Sequence, residues 1–252
     1  MGGGCGSGSV CGHWNGGSLV LTNAHVAGTR VGRQIALDFS IAGQTVTKSG
    51  RVIMAAYSDR TLADWAVVFI PDWQEVSPIK LSTTKPTGTH HTTGSPACVW
   101  PMRFSRLTTA DVSDTSTLWR WRPNAIGGQS GSHVVSDADG VQYGLLTWSW
   151  GGLGAGQQTS EIYRQARDRS VAGEPRIAGM RELSPRSAVV ENGFFAAANV
   201  ADLPIWANPP GAGEGDETEP EVLSRLRRRA RERDIDFVRL IQLILDILEL
   251  FR

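Results

Sequence analysis

The chain has 252 residues, 40% of them apolar and 20% charged, which is enough for one large domain or a domain with an appendage and excludes wholesale disorder. Its 25 basic and 25 acidic residues cancel, which argues against a general nucleic-acid binder. Three cysteines, Cys5, Cys11 and Cys98, cannot build a disulfide framework and leave at least one thiol over, so a reducing, cytoplasmic compartment is expected.

In chain order, the first seventeen residues hold eight glycines and no apolar core, and they are not expected to be a signal peptide. Short apolar runs follow at Ser18–Leu21, Gln34–Phe39, Thr45–Val46, Ala66–Ile70, His133–Val135 and Tyr143–Trp148. Turn residues separate them at Asn15-Gly16-Gly17, Ala42-Gly43 and Asp137-Ala138-Asp139-Gly140. Many short strands at this spacing predict a mainly β barrel or sandwich. A short helix is expected over 158–170. Residues 171–206 carry no assignable pattern, and Pro, Gly and acidic residues mark 207–220 as a linker. A helix is expected over 221–252, with Pro220 near its start and acids in its first turn. Its longest apolar-rich stretch, Ile235–Phe251, carries Asp236, Arg239, Gln242, Asp246 and Glu249, so it is not expected to span a membrane.

Three stretches carry candidate chemistry. Leu19–Val26 is a buried-strand pattern that ends on His25; Ala63–Ile70 opens with Asp64; Gly127–Ser132 sets Ser130 in a glycine loop. Acyl transfer by a hydroxyl nucleophile needs these three groups: the hydroxyl, an imidazole to take its proton, and a buried carboxylate to orient the imidazolium. Glycines beside the serine let two backbone N–H groups point at one developing oxyanion.

With these motifs the sequence resembles the trypsin-like (chymotrypsin-fold) serine proteases, and most closely the bacterial HtrA/DegP-type catalytic domains. Leu21-Thr22-Asn23-Ala24-His25-Val26, Asp64-Trp65-Ala66-Val67-Val68, Gly128-Gln129-Ser130-Gly131 and Gly144–Gly151 carry the likeness, within residues 4–165. The resemblance implies two antiparallel six-stranded β-barrels in a protease domain over 1–206. It also implies Ser130 as nucleophile, His25 as general base and acid, Asp64 as orienting carboxylate, and the Gly128 and Ser130 amides as oxyanion hole. It implies no cofactor and no metal. Gln129 stands where trypsin has the aspartate that pairs with a freshly cut N-terminus, so that kind of activation is not expected. Val26 stands where secreted members place the partner of a cysteine such as Cys11. No PDZ-like segment is recognisable.

For specificity, the resemblance puts the pocket base near Asn124 and the substrate-facing edge at Thr147-Trp148-Ser149 or Ser149-Trp150-Gly151, the first preferred by length. A neutral, moderately apolar side chain before the scissile bond is expected. His133 is read as structural and His90-His91 as exposed in a loop. Cys5, Cys11 and His13 lack a second ligand pair at zinc spacing, and no metal site is assigned.

In 221–252, six arginines fall between Arg225 and Arg233, and Ile235–Phe251 is apolar around most of a helix with a stripe of Arg239, Gln242, Asp246 and Glu249. At about 1.5–3 kcal/mol per large side chain, that face demands burial. Self-association or a protein partner is favoured, ahead of a membrane surface and of packing on the same chain. Nucleic acid is not expected. The sequence reads as a cytoplasmic bacterial, phage or viral serine endopeptidase acting on protein or peptide, with a C-terminal helix for oligomerisation or targeting. A protease-fold scaffold and a protease that cuts only itself are the alternatives.

Overall fold

The structure, a computed structural model, describes residues 5–58, 62–86, 88–99, 102–112, 118–122, 124–150, 152–168, 181–182, 193–196 and 203–207. The chain divides into two units at Pro209/Pro210, and every described residue belongs to the first. The linker expected after residue 207 and the helix expected over 221–252 lie outside the described residues.

The described chain is mainly β. Its strands are β1 (Ser9–Trp14), β2 (Gly17–Thr22), β3 (Gln34–Ile41), β4 (Gln44–Tyr57), β5 (Asp64–Ile70), β6 (His90–Gly94) and β7 (Arg103–Val112). They continue with β8 (Leu118–Arg122), β9 (His133–Ser136), β10 (Gln142–Trp150), β11 (Leu153–Gln158), β12 (Arg181–Glu182) and β13 (Gly193–Ala196). One turn of helix, α1 (Ala24–Ala27), follows β2, and α2 (Thr159–Asp168) fills the place expected for a helix.

Two antiparallel sheets result, in the two-sheet β architecture that the motifs imply. The first orders β1-β2-β5-β4-β13 with β3 on β4, and it is open among the described strands rather than a closed barrel. The second orders β11-β8-β7-β6-β9-β10-β12, and β10 also pairs β11, which links six strands in a ring of pairings.

Strand periodicity explains why the runs in β2 and β5 are apolar throughout. Leu19, Leu21, Trp65, Val67 and Phe69 point to one face, where Ile162 and Ala166 of α2 and Leu203 and Ile205 cover them. Val20, Ala66, Val68 and Ile70 point to the other, against Trp73 and the inward residues of the β3–β4 hairpin. That hairpin turns at Ala42-Gly43, both at positive φ (49° and 78°), the backbone that matches strand twist in a two-residue turn. The interior of the second sheet is filled by Trp119, Trp121, Ala125, Val134 and Leu146.

One expectation is corrected here. His90 does not sit in an exposed loop. It lies in β6, 1% exposed, with its ring edge-on to Trp119 at 4.7 Å. His91, next along the strand, points the other way and meets Asp137 at 2.7 Å. The sequence His-His-Thr-Thr-Gly is polar enough to read as loop, yet strand alternation buries every second residue.

Candidate active site

β2 delivers the first group. It ends at Thr22, Asn23 stays extended (φ −79°, ψ 148°), and the single turn α1 then presents His25. β5 begins on Asp64, whose carboxylate grips His25 twice. Oδ1 accepts the His25 backbone N–H at 3.0 Å, and Oδ2 lies 2.5 Å from Nδ1. A carboxylate can only accept, so Nδ1 carries the proton and Nε2 is left bare. That bare nitrogen is 2.9 Å from Ser130 Oγ, whose hydroxyl donates to it. Three residues separated by 39 and 105 positions thus form one hydrogen-bonded row.

Asp64 is itself clamped. Its carbonyl accepts Asn23 Nδ2 at 2.7 Å, and its N–H donates to Gln157 Oε1 at 3.3 Å. Asn23 Nδ2 also reaches Thr147 Oγ1 at 2.9 Å, tying the histidine turn to β10 in the other sheet. Neither Asn23 nor Gln157 was singled out for a role from sequence. Asn23 stands in the Thr-Asn-Ala-His stretch that could have signalled it, whereas nothing local marks Gln157, 93 residues from Asp64.

The nucleophile loop is built on two glycines in left-handed backbone. Gly128 and Gly131 both have φ +87°, and a Cβ on either would strike main chain: Ser95 and Cys98 around Gly128, Ser7 around Gly131. Three amides of the turn are committed. Gln129 N–H donates to Ile126 O at 3.2 Å, Gly131 N–H to Leu146 O at 2.8 Å, and Ser132 N–H to Gln129 O at 2.9 Å. The N–H groups of Gly128 and Ser130 donate to nothing among the described residues. Ala97 N–H holds the Gly127 carbonyl at 2.6 Å, and in a trans peptide this turns the Gly128 N–H the opposite way. Two uncommitted N–H groups thus stand on either side of Gln129.

The loop rests on the N-terminal segment. Ser7 N–H donates to Ser130 O at 2.6 Å, Ser7 Oγ donates to Gly128 O and accepts Ser95 N–H, both at 3.0 Å, and Thr22 Oγ1 donates to Ser7 O at 2.7 Å. Cys5, two residues before, is disulfide-bonded to Cys98. Cys11 is the remaining thiol, and burial pushes it up to about 12, far from a reactive thiolate.

The other sequence candidates fall as follows. Asn124 is exposed and accepts Ser149 Oγ on its Oδ1 at 2.9 Å. Thr147 is fully buried toward Asn23, and Ser149 faces Asn124. Trp148 is 4% exposed and packs with Leu62, Leu118 and Ala155, so it offers little open surface. His133 is partly buried on β9. Among the described residues no group of three or more His, Cys, Asp or Glu is arranged to hold a metal ion.

Several solved structures are similar to this chain. They include Deg5 (17% identity, TM-score 0.46, covering 63% of this chain and 80% of that one). A thermostable serine protease, AL20, from an extremophilic microorganism matches at 16% identity and TM-score 0.46, over 61% of this chain and 84% of its own. Rv3671c protease from M. tuberculosis in its active form matches at 16% and 0.42, over 64% and 71%. No family model and no curated protein matches the sequence. At such identities and TM-scores the functional reading rests on the geometry of the chain itself.

Proposed function

We propose that this chain is a serine endopeptidase that works through an acyl-enzyme on Ser130. The observation that carries the reading is the continuous row Asp64–His25–Ser130, at 2.5 and 2.9 Å, beside two uncommitted amides. Ser130 Oγ attacks a peptide carbonyl while its proton passes to His25 Nε2. The imidazolium is stabilised by the Asp64 carboxylate already bonded to Nδ1. The carbonyl oxygen, now an oxyanion, is received by the Gly128 and Ser130 N–H groups. His25 then gives its proton to the leaving amine, which departs. Water enters, loses its proton to His25 and attacks the ester, and Ser130 recovers its own proton as the acid leaves. No step calls on a metal or cofactor.

The Asn124–Ser149 hydrogen bond joins two neutral side chains, which supports a neutral side chain before the scissile bond. The apolar circumference of residues 235–251 supports assembly through the C-terminal segment, with self-association favoured over a membrane surface.

The test is covalent labelling by a fluorophosphonate in long incubations. Wild type is expected to label, and Ser130→Ala and His25→Ala are expected not to. Asp64→Asn, which leaves the ring without its proton-fixing acceptor, is expected to label slower by about 10⁴-fold. Labelling that survives Ser130→Ala, or none at all in folded wild type, would refute the reading.

A further inference from the structure

Two observations meet at the nucleophile. The triad is bonded in working order, yet His25 and Ser130 are 0% exposed and Asp64 1%. A reacting carbonyl has to come within about 3–3.5 Å of Oγ, and a site with no open surface admits none.

The second observation is on β10. At Leu146 its N–H donates to Ser132 O at 2.9 Å and its carbonyl accepts Gly131 N–H at 2.8 Å, so this edge of the strand faces the nucleophile loop. The opposite edge is filled by β11, which pairs Trp148 with Ala155 and Ser149 with Gly154. Beyond Leu146, β12 takes the loop-facing edge, pairing antiparallel with Trp148 through Glu182 and with Ser149 through Arg181. At about 3.3 Å per residue, the pairing starts within two residues of the loop that carries Ser130. An extended peptide that aligned beside Ser130 would need the same main-chain groups of β10, and two strands cannot hold one edge.

On the reading of Ser130 as a nucleophile, we propose that β12 is a built-in occupant of the substrate edge, holding the assembled site closed until an extended peptide displaces it by strand addition. A two-residue strand suits that part. Its few ladder bonds favour the closed state and are few enough to be exchanged for those of a longer peptide. The ligand class follows: an unfolded or extended polypeptide segment that offers several consecutive main-chain groups, rather than a folded surface or a small ester.

The test uses the full chain and a fluorescein-labelled synthetic peptide of residues 178–186. Binding is followed by anisotropy to Ser130→Ala and to the same variant carrying Arg181→Pro and Glu182→Pro, since proline removes the ladder donors. The proline variant is expected to bind about tenfold tighter, the gain when a competing strand no longer holds the edge. Equal affinity, or no binding to either, would overturn the proposal. If the proline variant fails to fold, Arg181→Gly with Glu182→Gly, which weakens the strand but keeps its donors, is held to the same comparison.

A second arm keeps Ser130 and compares fluorophosphonate labelling rates with and without the strand-breaking changes. Faster labelling in the variant supports the closed state. Equal and rapid labelling sinks it while leaving the nucleophile intact. No labelling of either refutes the proposed function, and the anisotropy comparison in Ser130→Ala still decides what β12 does.

Discussion

At the residue scale the site is a set of side chains whose neighbours leave them one orientation. Asp64 is bonded at both carboxylate oxygens, its carbonyl and its N–H, so it cannot turn away from His25 without breaking several contacts. His25, Asp64 and Ser130 were legible in sequence because each stands at the edge of an apolar run or inside a glycine turn. The clamp was not, because its bonds act across 41 to 124 residues: Asn23, Gln157 and Ser7 look like ordinary polar positions, and Thr147 stood out only as a cleft edge. Residue chemistry also predicts a pH effect away from the site. Burial holds His133 down to about 4, and a nearby His91 adds to this. Its folded value is below its unfolded one, so the folded chain binds fewer protons between about pH 6.5 and 4. Stability is therefore full above that window and declines as pH falls through it, by up to about 3 kcal/mol. Urea denaturation at pH 7 and pH 4.5 is expected to show a smaller loss for His133→Gln than for wild type.

At the scale of elements, apolar runs marked the strands β2, β3 and β5 of the first sheet, whereas β1 and the buried end of β4 were not legible. Those of the second sheet were harder. β6 carries no large apolar residue, and β7 alternates Arg, Thr and Asp with its apolar positions, so their apolar signal is too weak to stand out. The Cys5–Cys98 bridge was hidden too. A count of three says one thiol is left over, and it does not say which two meet, so a reducing compartment no longer follows from the count. The bridge closes a loop across a separation of 93 residues, and chain entropy assigns such a crosslink about 4–5 kcal/mol. It also anchors the 95–98 segment, where Ala97 holds the Gly127 carbonyl. Thiol titration of the denatured, unreduced chain is expected to find one group, rising to three after reduction. Cys5→Ser with Cys98→Ser is expected to unfold at lower denaturant and to label more slowly at Ser130, because the Gly127–Gly128 peptide loses its restraint.

For the whole molecule, the division of labour between the two sheets decides when reactivity exists. His25 and Asp64 belong to the first sheet and Ser130 to a loop of the second, and the bond that joins them spans 105 residues. Contacts of such long range form late, since loop closure has to be met before they reward it. Each sheet can then acquire its own interior while the hydroxyl is still an ordinary alcohol. In refolding from urea, fluorophosphonate capture of Ser130 is expected to lag the recovery of tryptophan fluorescence, which reports Trp65 and Trp73 in one sheet's core and Trp119 and Trp121 in the other's. Simultaneous recovery would contradict this order. On the reading of Ser130 as a nucleophile, a nascent chain built this way would be harmless to its neighbours in the crowded period of its own synthesis: arming would come only with the last docking event, and completion of folding would itself be the safety catch.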